Sequence, residues 1–371
     1  MTRARVEVTA TDGEARTGLV HTARGSYPVP AFMPVGTRGA VKALDSVDME
    51  KLGAHVILAN TYHLMLRPGA DAIAGLGGLH RFTGWQGHTL TDSGGYQVHS
   101  LNPAVDDDGV TFASVYDGAQ VRLTPESAVE AQGLIAADIQ MVLDVCASLP
   151  ASPEVLRTAV DRTADWAERA RRHFERLDAR PAGQALFGIV QGGTDPILRK
   201  ESAQRSVDLD FDGYGIGGLS VGEPRQSMLE ALAATLPHLP ADRPRYLMGV
   251  GDPIGLVEAI ALGVDQFDCV APTRMGRHGS LLTSTGRLNL RNAVHAGDDR
   301  PLDASCGCLT CRHWSRGYLR HLLGVGEPTA WRLLSIHNLS FVLGLMAEAR
   351  MAIAEGRLDA LRSRTVDMWK S

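Results

Sequence analysis

Cys306, Cys308 and Cys311 stand at C-x-C-x2-C spacing, and His337 follows 26 residues after the last thiol. Three thiols and an imidazole are the four soft or borderline ligands that a closed tetrahedral zinc site needs. Gly307 and Thr310 between them suit a tight turn around a metal better than a packed core. Four protein ligands leave no open position for water or substrate, so the expected Zn2+, one per chain, is structural and chemistry must lie elsewhere. A second set of residues offers it. Apolar runs end in Thr91-Asp92-Ser-Gly-Gly-Tyr96, Leu143-Asp144, Val190-Gln191-Gly-Gly, Gly217-Gly218, Leu247-Met248-Gly249 and Phe267-Asp268-Cys269. Two carboxylates flanking a sugar can support substitution at an anomeric carbon, one attacking while the other donates and then removes a proton. A third carboxylate with an amide and glycine N–H groups can read the hydrogen-bonding edge of a purine. Tyr96 and Met248 offer flat or polarisable surfaces to a planar base. The set points to a nucleobase on a ribose rather than to a plain sugar chain. A lone Asp at a strand end is more often a helix cap; three, each after an apolar run, argue for a site.

The elements that must bring these residues together are eight short apolar runs: Val29–Val35, His55–Ala59, Thr89–Asp92, Ile139–Asp144, Leu186–Gln191, Gly213–Gly217, Arg245–Val250 and Asp265–Val270. Several lack polar alternation, as parallel strands buried on both faces do. Helix starts between them carry N-cap signals with proline at the first helical position, at Thr124-Pro, Ser152-Pro, Asp195-Pro and Asp252-Pro. Strand and helix in alternation predict an α/β fold, a (β/α)8 TIM-type barrel over residues 1–273, with a doubly wound open sheet as the alternative. In such a barrel the strand ends named above share one mouth. Two interruptions are expected. A hairpin insertion at about 105–123 turns at Asp117-Gly118, and residues 274–337 form a zinc-binding, Arg-rich subdomain. Residues 338–371 would close the barrel as a helical segment.

Apolar residues make up 44% and charged residues 21% of the 371-residue chain, as in an ordinary globular protein. The N-terminus reads as polar, without a secretory signal, and no apolar run approaches the ~20 residues of a membrane helix. Thiols that read as metal ligands suit a reducing, cytoplasmic setting. The net charge of −5 argues against indiscriminate nucleic-acid binding, yet nine Arg against four acids fall between Pro272 and Arg332. That stretch has no Lys, which favours planar contact with phosphates or bases; a solvated basic face would show the same count.

Thr91-Asp-Ser-Gly-Gly-Tyr-Gln97, Phe187-Gly-Ile-Val-Gln-Gly-Gly193, Gly217-Gly-Leu-Ser-Val-Gly-Glu223, Phe267-Asp-Cys269 with Pro272-Thr-Arg, and the Cys3His set resemble bacterial tRNA-guanine transglycosylases. The likeness runs in order from about Arg16 to about Ala354. It implies that Asp268 is the nucleophile that attacks the ribose of a wobble guanosine in tRNA, and that Asp92 is the general acid/base. It further implies that Asp144, Gln191 and the Gly218 N–H recognise the base. The Leu219 carbonyl, backed by Glu223, would receive an aminomethyl group. Cys146 and Val221 would wall a pocket sized for 7-aminomethyl-7-deazaguanine, and Arg274 and Arg277 would grip the anticodon loop. Family members are homodimers, which assigns Trp314, Tyr318 and His321, read as one helical stripe, to a subunit interface that Phe82 could join. The chain departs from the pattern at Val145, at Met275 and in a short loop carrying Asp106-Asp107-Asp108. A silent RNA-binding module and a glycoside hydrolase on the same fold are the competing readings. Intact Asp92 and Asp268 oppose the first, and the Gly217-Gly218, Gln191 and Arg/zinc features have no role in the second.

Overall fold

The computed structural model describes residues 4–99, 101, 103–177 and 183–370. Its central sheet is parallel throughout. The order is Ala31–Met33, Gln266–Asp268, Arg245–Leu247, Gly213–Ile216, Ala185–Val190, Ile139–Met141, His88–Thr91, Val56–Ala59 and Val35–Gly36. The first and last members are two halves of one strand, parted only by Pro34, which has no N–H to give to a ladder. Ala31–Met33 pairs with the strand ending in Asp268, and Val35–Gly36 pairs with Val56–Ala59. The sheet therefore closes on itself as an eight-stranded (β/α)8 barrel, and each expected apolar run supplies one strand. In Val56–Ala59, His88–Thr91, Ala185–Val190 and Gly213–Ile216 nearly all side chains are buried, which is why several of the runs lack polar alternation.

The four expected helix starts form as the sequence specifies. Thr124, Ser152, Asp195 and Asp252 each accept a backbone N–H through the side chain, and proline opens each helix. The insertion after the third barrel strand is a three-stranded antiparallel sheet, Ala104–Asp106, Gly109–Ala113 and Gln120–Leu123. Its acidic loop is neutralised by neighbours: Arg122 pairs with Asp106, Arg162 with Asp107, and the Trp166 indole N–H donates to the Asp107 carbonyl at 2.8 Å.

One element has no counterpart in the sequence reading. Arg5–Asp12, Ala15–Thr22 and Gly25–Val29 form an antiparallel sheet across the bottom of the barrel. It is anchored by Arg16, whose guanidinium meets both oxygens of the buried Asp265, at the start of the eighth strand. The first of these strands is mostly exposed, so it has little hydrophobic signal to read.

Beyond the eighth strand, the hairpin Ser280–Thr283/Gly286–Asn289 and the helices Leu309–His313 and Arg316–Gly324 gather a small core of their own, including Leu281, Leu302, Leu319 and Leu323. The helix Pro328–Ala354 then joins the two cores. Ala330, Leu333 and Leu334 enter the small one, while Leu339, Val342, Met346 and Ile353 enter that of the barrel. His337 lies in the middle of this helix, so position 337 falls within one continuous element. By length and composition the helix could cross a membrane, but 61% of its most apolar window is buried inside the protein. The Arg332 guanidinium grips both oxygens of Asp48 on the barrel helix Ser46–Lys51, tying the lobe to the barrel.

The expected stripe of Trp314, Tyr318 and His321 on a single helix is not formed. Trp314 ends the helix Leu309–His313 in extended geometry (φ −131°), and a new helix begins at Arg316 behind the Ser315 cap. Ser315 competes for the backbone as an N-cap and breaks the run. Tyr318 and His321 share a face, whereas Trp314 is half-buried against the small core.

Candidate active site and metal centre

The strand ends converge as barrel geometry requires. Asp268 closes the eighth strand. The Tyr246 hydroxyl donates to its Oδ1 at 2.6 Å and the Gly249 N–H to the same oxygen at 2.9 Å. Burial pushes this carboxyl above its ordinary range, against the opposing pull of those two donors. Asp92, just past the third strand, receives the Asn60 amide on Oδ2 at 2.5 Å, and on Oδ1 the N–H groups of Thr61 at 2.9 Å and Gly94 at 3.1 Å. Burial nevertheless raises it to about 7, and the negative charge of Asp268 across the mouth adds to the rise. Two carboxyls thus lie close enough at one end of the barrel to feel each other's charge, one poised near neutrality and the other accepting on a single oxygen among the described residues. Such a pair can attack at one side of a sugar carbon and move a proton at the other.

Asp144 and Gln191, from the fourth and fifth strands, meet directly. The Gln191 amide donates to Asp144 Oδ2 at 2.7 Å, and Ser93 donates to Oδ1 at 3.3 Å. Burial lifts Asp144 to about 6. At pH 7 it is mostly ionised, in a setting where an acceptor of N–H donors is strong. Glycine is needed beside this pair. A Cβ on Gly95 would stand 2.9 Å from Asp144 Oδ1, and Gly218 (φ +64°) would place one 2.3 Å from Gln191 Oε1. Cys146 lies beside Asp144 and within reach of the Gly218 N–H, and burial keeps it a neutral thiol, pushed up to about 12. Glu223 accepts from the backbone N–H groups of Ser220 and Val221. In a trans peptide this turns the Leu219 carbonyl, opposite the Ser220 N–H, away from Glu223. Met248, just past the seventh strand, is half-buried against the main core, and Tyr96 on the short helix Gly95–His99 is 59% exposed.

Sequence reasoning missed four contributors. Asn60 and Thr61 follow the second strand and had the same strand-end signal as Asp92, unread. Tyr246 lies inside a strand and looks like core. Arg199, on the helix Pro196–Asp208, looks like a surface cation but is fully buried. Its guanidinium donates to the carbonyls of Gly193 (2.6 Å), Val190 (3.2 Å), Gly217 (2.8 Å) and Gly218 (3.2 Å). It clamps the ends of the fifth and sixth strands together, and burial lowers it to about 10.

Arg274 and Arg277 occupy the helix Ala271–Arg277 directly after Asp268 and Cys269. Arg274 is exposed, while one terminal nitrogen of Arg277 is buried with no hydrogen-bond partner among the described residues. Met275 between them packs on the main core, and Val145 fits between two apolar clusters.

Away from the mouth, the ligand atoms of Cys306, Cys308, Cys311 and His337 lie within 4.8 Å of one another, a cluster that could hold one metal ion. His337 Nδ1 is 3.3 Å from the Cys311 sulfur and 3.7 Å from that of Cys308. Its Nε2–H points at the Leu282 carbonyl at 2.9 Å, which fixes the tautomer that leaves Nδ1 free to ligate.

A family model described as queuine tRNA-ribosyltransferase matches residues 11–371. Among curated relatives, the queuine tRNA-ribosyltransferase of Rhizobium meliloti (strain 1021) is 51% identical over 97% of this chain and 96% of its own length. That of Desulforudis audaxviator is 53% identical over 94% of each chain, and that of Novosphingobium aromaticivorans 51% over 97% of each.

Proposed function

The chain belongs to the queuine tRNA-ribosyltransferase family of glycosyltransferases, and on that premise we propose that it exchanges guanine at the wobble position of tRNA for 7-aminomethyl-7-deazaguanine. The observation that carries this reading is the division of labour between Asp268 and Asp92. Asp268 accepts from Tyr246 and Gly249 on Oδ1, which leaves Oδ2 available to a substrate. In the first half-reaction Oδ2 attacks C1′ of the ribose as the bond to guanine breaks. Asp92, protonated near neutrality, gives its proton to the departing base. In the second, ionised Asp92 removes a proton from the incoming base, whose nitrogen attacks C1′ and frees the Asp268 carboxylate. No redox cofactor or nucleotide triphosphate is needed for the balance.

Asp144 and Gln191 hold the edge of the base, with the Gly218 N–H directed to its carbonyl oxygen. Charge-assisted bonds of this kind contribute about 1.5–3 kcal/mol each. Adenine would leave donors and acceptors unpaired and be rejected. The Leu219 carbonyl accepts the aminomethyl group, and Cys146 and Val221 limit the pocket to the small precursor. Arg274 and Arg277 bind the anticodon loop; the unpartnered Arg277 nitrogen supports an anionic ligand there. Zn2+ is the ion that suits Cys306, Cys308, Cys311 and His337. It would fold the lobe and supply no reacting group. Tyr318 and His321, exposed, and Trp314 at its edge form the contact of a homodimer; Tyr318→Ala should shift the protein to monomer on a sizing column, and an unchanged dimer rejects this interface.

Exchange of radiolabelled guanine into unmodified tRNA tests the activity, with Asp268→Asn as the control that must lose it. Offering 7-aminomethyl-7-deazaguanine and queuine in parallel tests the pocket: faster incorporation of queuine overturns the assignment to the small base.

A further inference from the structure

Three successive loops on the mouth side of the barrel meet at one aromatic ring. Arg38 follows the first barrel strand, Arg67 follows the second, and Tyr116 is carried by the insertion after the third. The Arg67 guanidinium carbon lies 4.6 Å from the centre of the Tyr116 ring, and that of Arg38 lies 5.5 Å from it. Stacked guanidiniums are held in a fixed orientation while their N–H edges stay open.

The cluster connects to the reacting centre through a chain of hydrogen bonds. The Tyr116 hydroxyl is 2.9 Å from His63 Nδ1. The His63 backbone N–H donates to the Asn60 side-chain oxygen at 3.1 Å, and the Asn60 amide holds Asp92. Burial, then the charge of Arg38, keeps His63 below its ordinary range, so it adds no cation of its own at neutral pH.

Both guanidiniums are exposed, and neither has an ion-pair partner among the described residues. Asp117 on the same hairpin is held ionised first by Ser114 and the Ala119 N–H, with Arg67 adding to the effect. Other arginines around the insertion are different: Arg122, Arg162 and Arg169 are each matched by Asp106, Asp107 or Glu126. Positive charge has been neutralised on the outer side of the insertion and left free on the side facing the mouth.

Barrel order decides what this free charge faces. The eighth strand, which delivers Arg274 and Arg277, neighbours the first, which delivers Arg38, and the first neighbours the second, which delivers Arg67. The four arginines thus line adjacent loops on one half of the rim. Asp144, Gln191 and Gly218 follow the ends of the fourth, fifth and sixth strands, on the other half.

We propose that the RNA backbone crosses the rim along the loops after strands eight, one and two, with Arg38 and Arg67 holding phosphates on the Asp92 side and Tyr116 setting the two guanidiniums. A nucleotide flipped from this track would present its base to Asp144 and Gln191 and its ribose between Asp92 and Asp268. The proposal rests on the reading of the chain as an RNA enzyme and extends its grip beyond Arg274 and Arg277.

The test is equilibrium binding of a fluorescein-labelled RNA hairpin with a single-stranded loop, followed by anisotropy across a salt series. Each phosphate contact on a single strand contributes about 0.7 to the slope of log K against log salt. The Arg38→Ala/Arg67→Ala variant should bind about tenfold more weakly at moderate salt, with a slope shallower by about 1.4. Arg38→Lys/Arg67→Lys should restore the slope, because charge alone sets it, and Tyr116→Ala should weaken binding by less than the double alanine variant. Unchanged affinity and slope in the double alanine variant overturn the proposal. Failure of the underlying reading would look different: the wild-type protein itself would exchange no guanine into tRNA.

Discussion

The Tyr246 hydroxyl donates to Oδ1 of Asp268 at 2.6 Å, and the Gly249 N–H donates to the same oxygen. Both bonds steady the carboxylate and lower its affinity for a proton, opposing the effect of burial. Tyr246→Phe keeps the ring in its buried place and removes one donor to a charged group, a loss of about 1.5–3 kcal/mol. Turnover should fall by roughly ten- to a hundredfold, and the acid limb of the rate profile should move to higher pH. A phenylalanine variant with wild-type rate and profile rejects the role given to the hydroxyl.

The pH dependence follows from the two carboxyls having different tasks. On the proposed roles, Asp268 in the free enzyme must be ionised to attack, and Asp92 must hold the proton it gives to guanine. Rates at limiting RNA should rise as Asp268 ionises above the ordinary carboxylate range. They should then fall through about 7 as Asp92 loses its proton. Asp92→Asn should lower exchange by about 10²–10⁴-fold, the usual contribution of a positioned proton donor, and abolish the descending limb. A descending limb that survives in Asp92→Asn belongs to another group.

Stability should oppose function at Asp268. Its folded-state affinity for protons is raised, so its contribution to stability is complete below the unfolded value, near 3.9, and is lost as pH rises through the higher folded one. At pH 8 the protein therefore carries a half-buried carboxylate charge that Asp268→Asn removes. The neutral amide can still accept from Tyr246 and Gly249 on its oxygen. This variant should lose exchange yet melt at a higher temperature than wild type at pH 8, with the gain shrinking towards pH 4. Equal melting temperatures across that range would contradict the linkage.

Much of this site was legible because burial on both faces leaves a plain signature. Several of the eight strands lack alternation, and Asp92, Asp144, Gln191 and Asp268 stand where apolar runs stop. What stayed hidden had no such contrast. The exposed strand Arg5–Asp12 reads as loop, and Tyr246 reads as core because its hydroxyl finds its partner only through the tertiary fold. Arg199 is indistinguishable in sequence from the solvated arginines of an ordinary helix. The supposed stripe from Trp314 to His321 failed because Ser315 caps a new helix in its middle. Local capping outcompeted the periodicity.

The metal centre and the mouth should separate experimentally. Among the described residues the side chains of its cysteines and His337 hydrogen-bond to one another and to Leu282, while Leu281, Leu302 and Leu323 form a core too small to be secure alone. With zinc as the proposed ion, chelation, or Cys308→Ser, should release one zinc per chain by elemental analysis and lower the melting temperature. RNA binding should weaken together with the fold of the lobe. Binding of the free base at the mouth should persist, since Asp144 and Gln191 lie in the barrel. Loss of base binding at a temperature where the barrel remains folded would reject the separation.

Arg199 offers the sharpest test of how the base pocket is held. One buried guanidinium satisfies carbonyls from Val190, Gly193, Gly217 and Gly218. A lysine has three donors on one nitrogen and cannot span that spread. Arg199→Ala would strip four carbonyls of a donor in a site without solvent, at a cost of about 3 kcal/mol or more. Arg199→Lys should restore charge but not geometry. If the clamp positions Gly218 and Gln191, the lysine variant should raise the KM for guanine about tenfold or more while the pH profile set by Asp92 stays in place, because no reacting proton is moved. If Arg199 merely fills space, Arg199→Met of similar length should match wild type in both stability and KM.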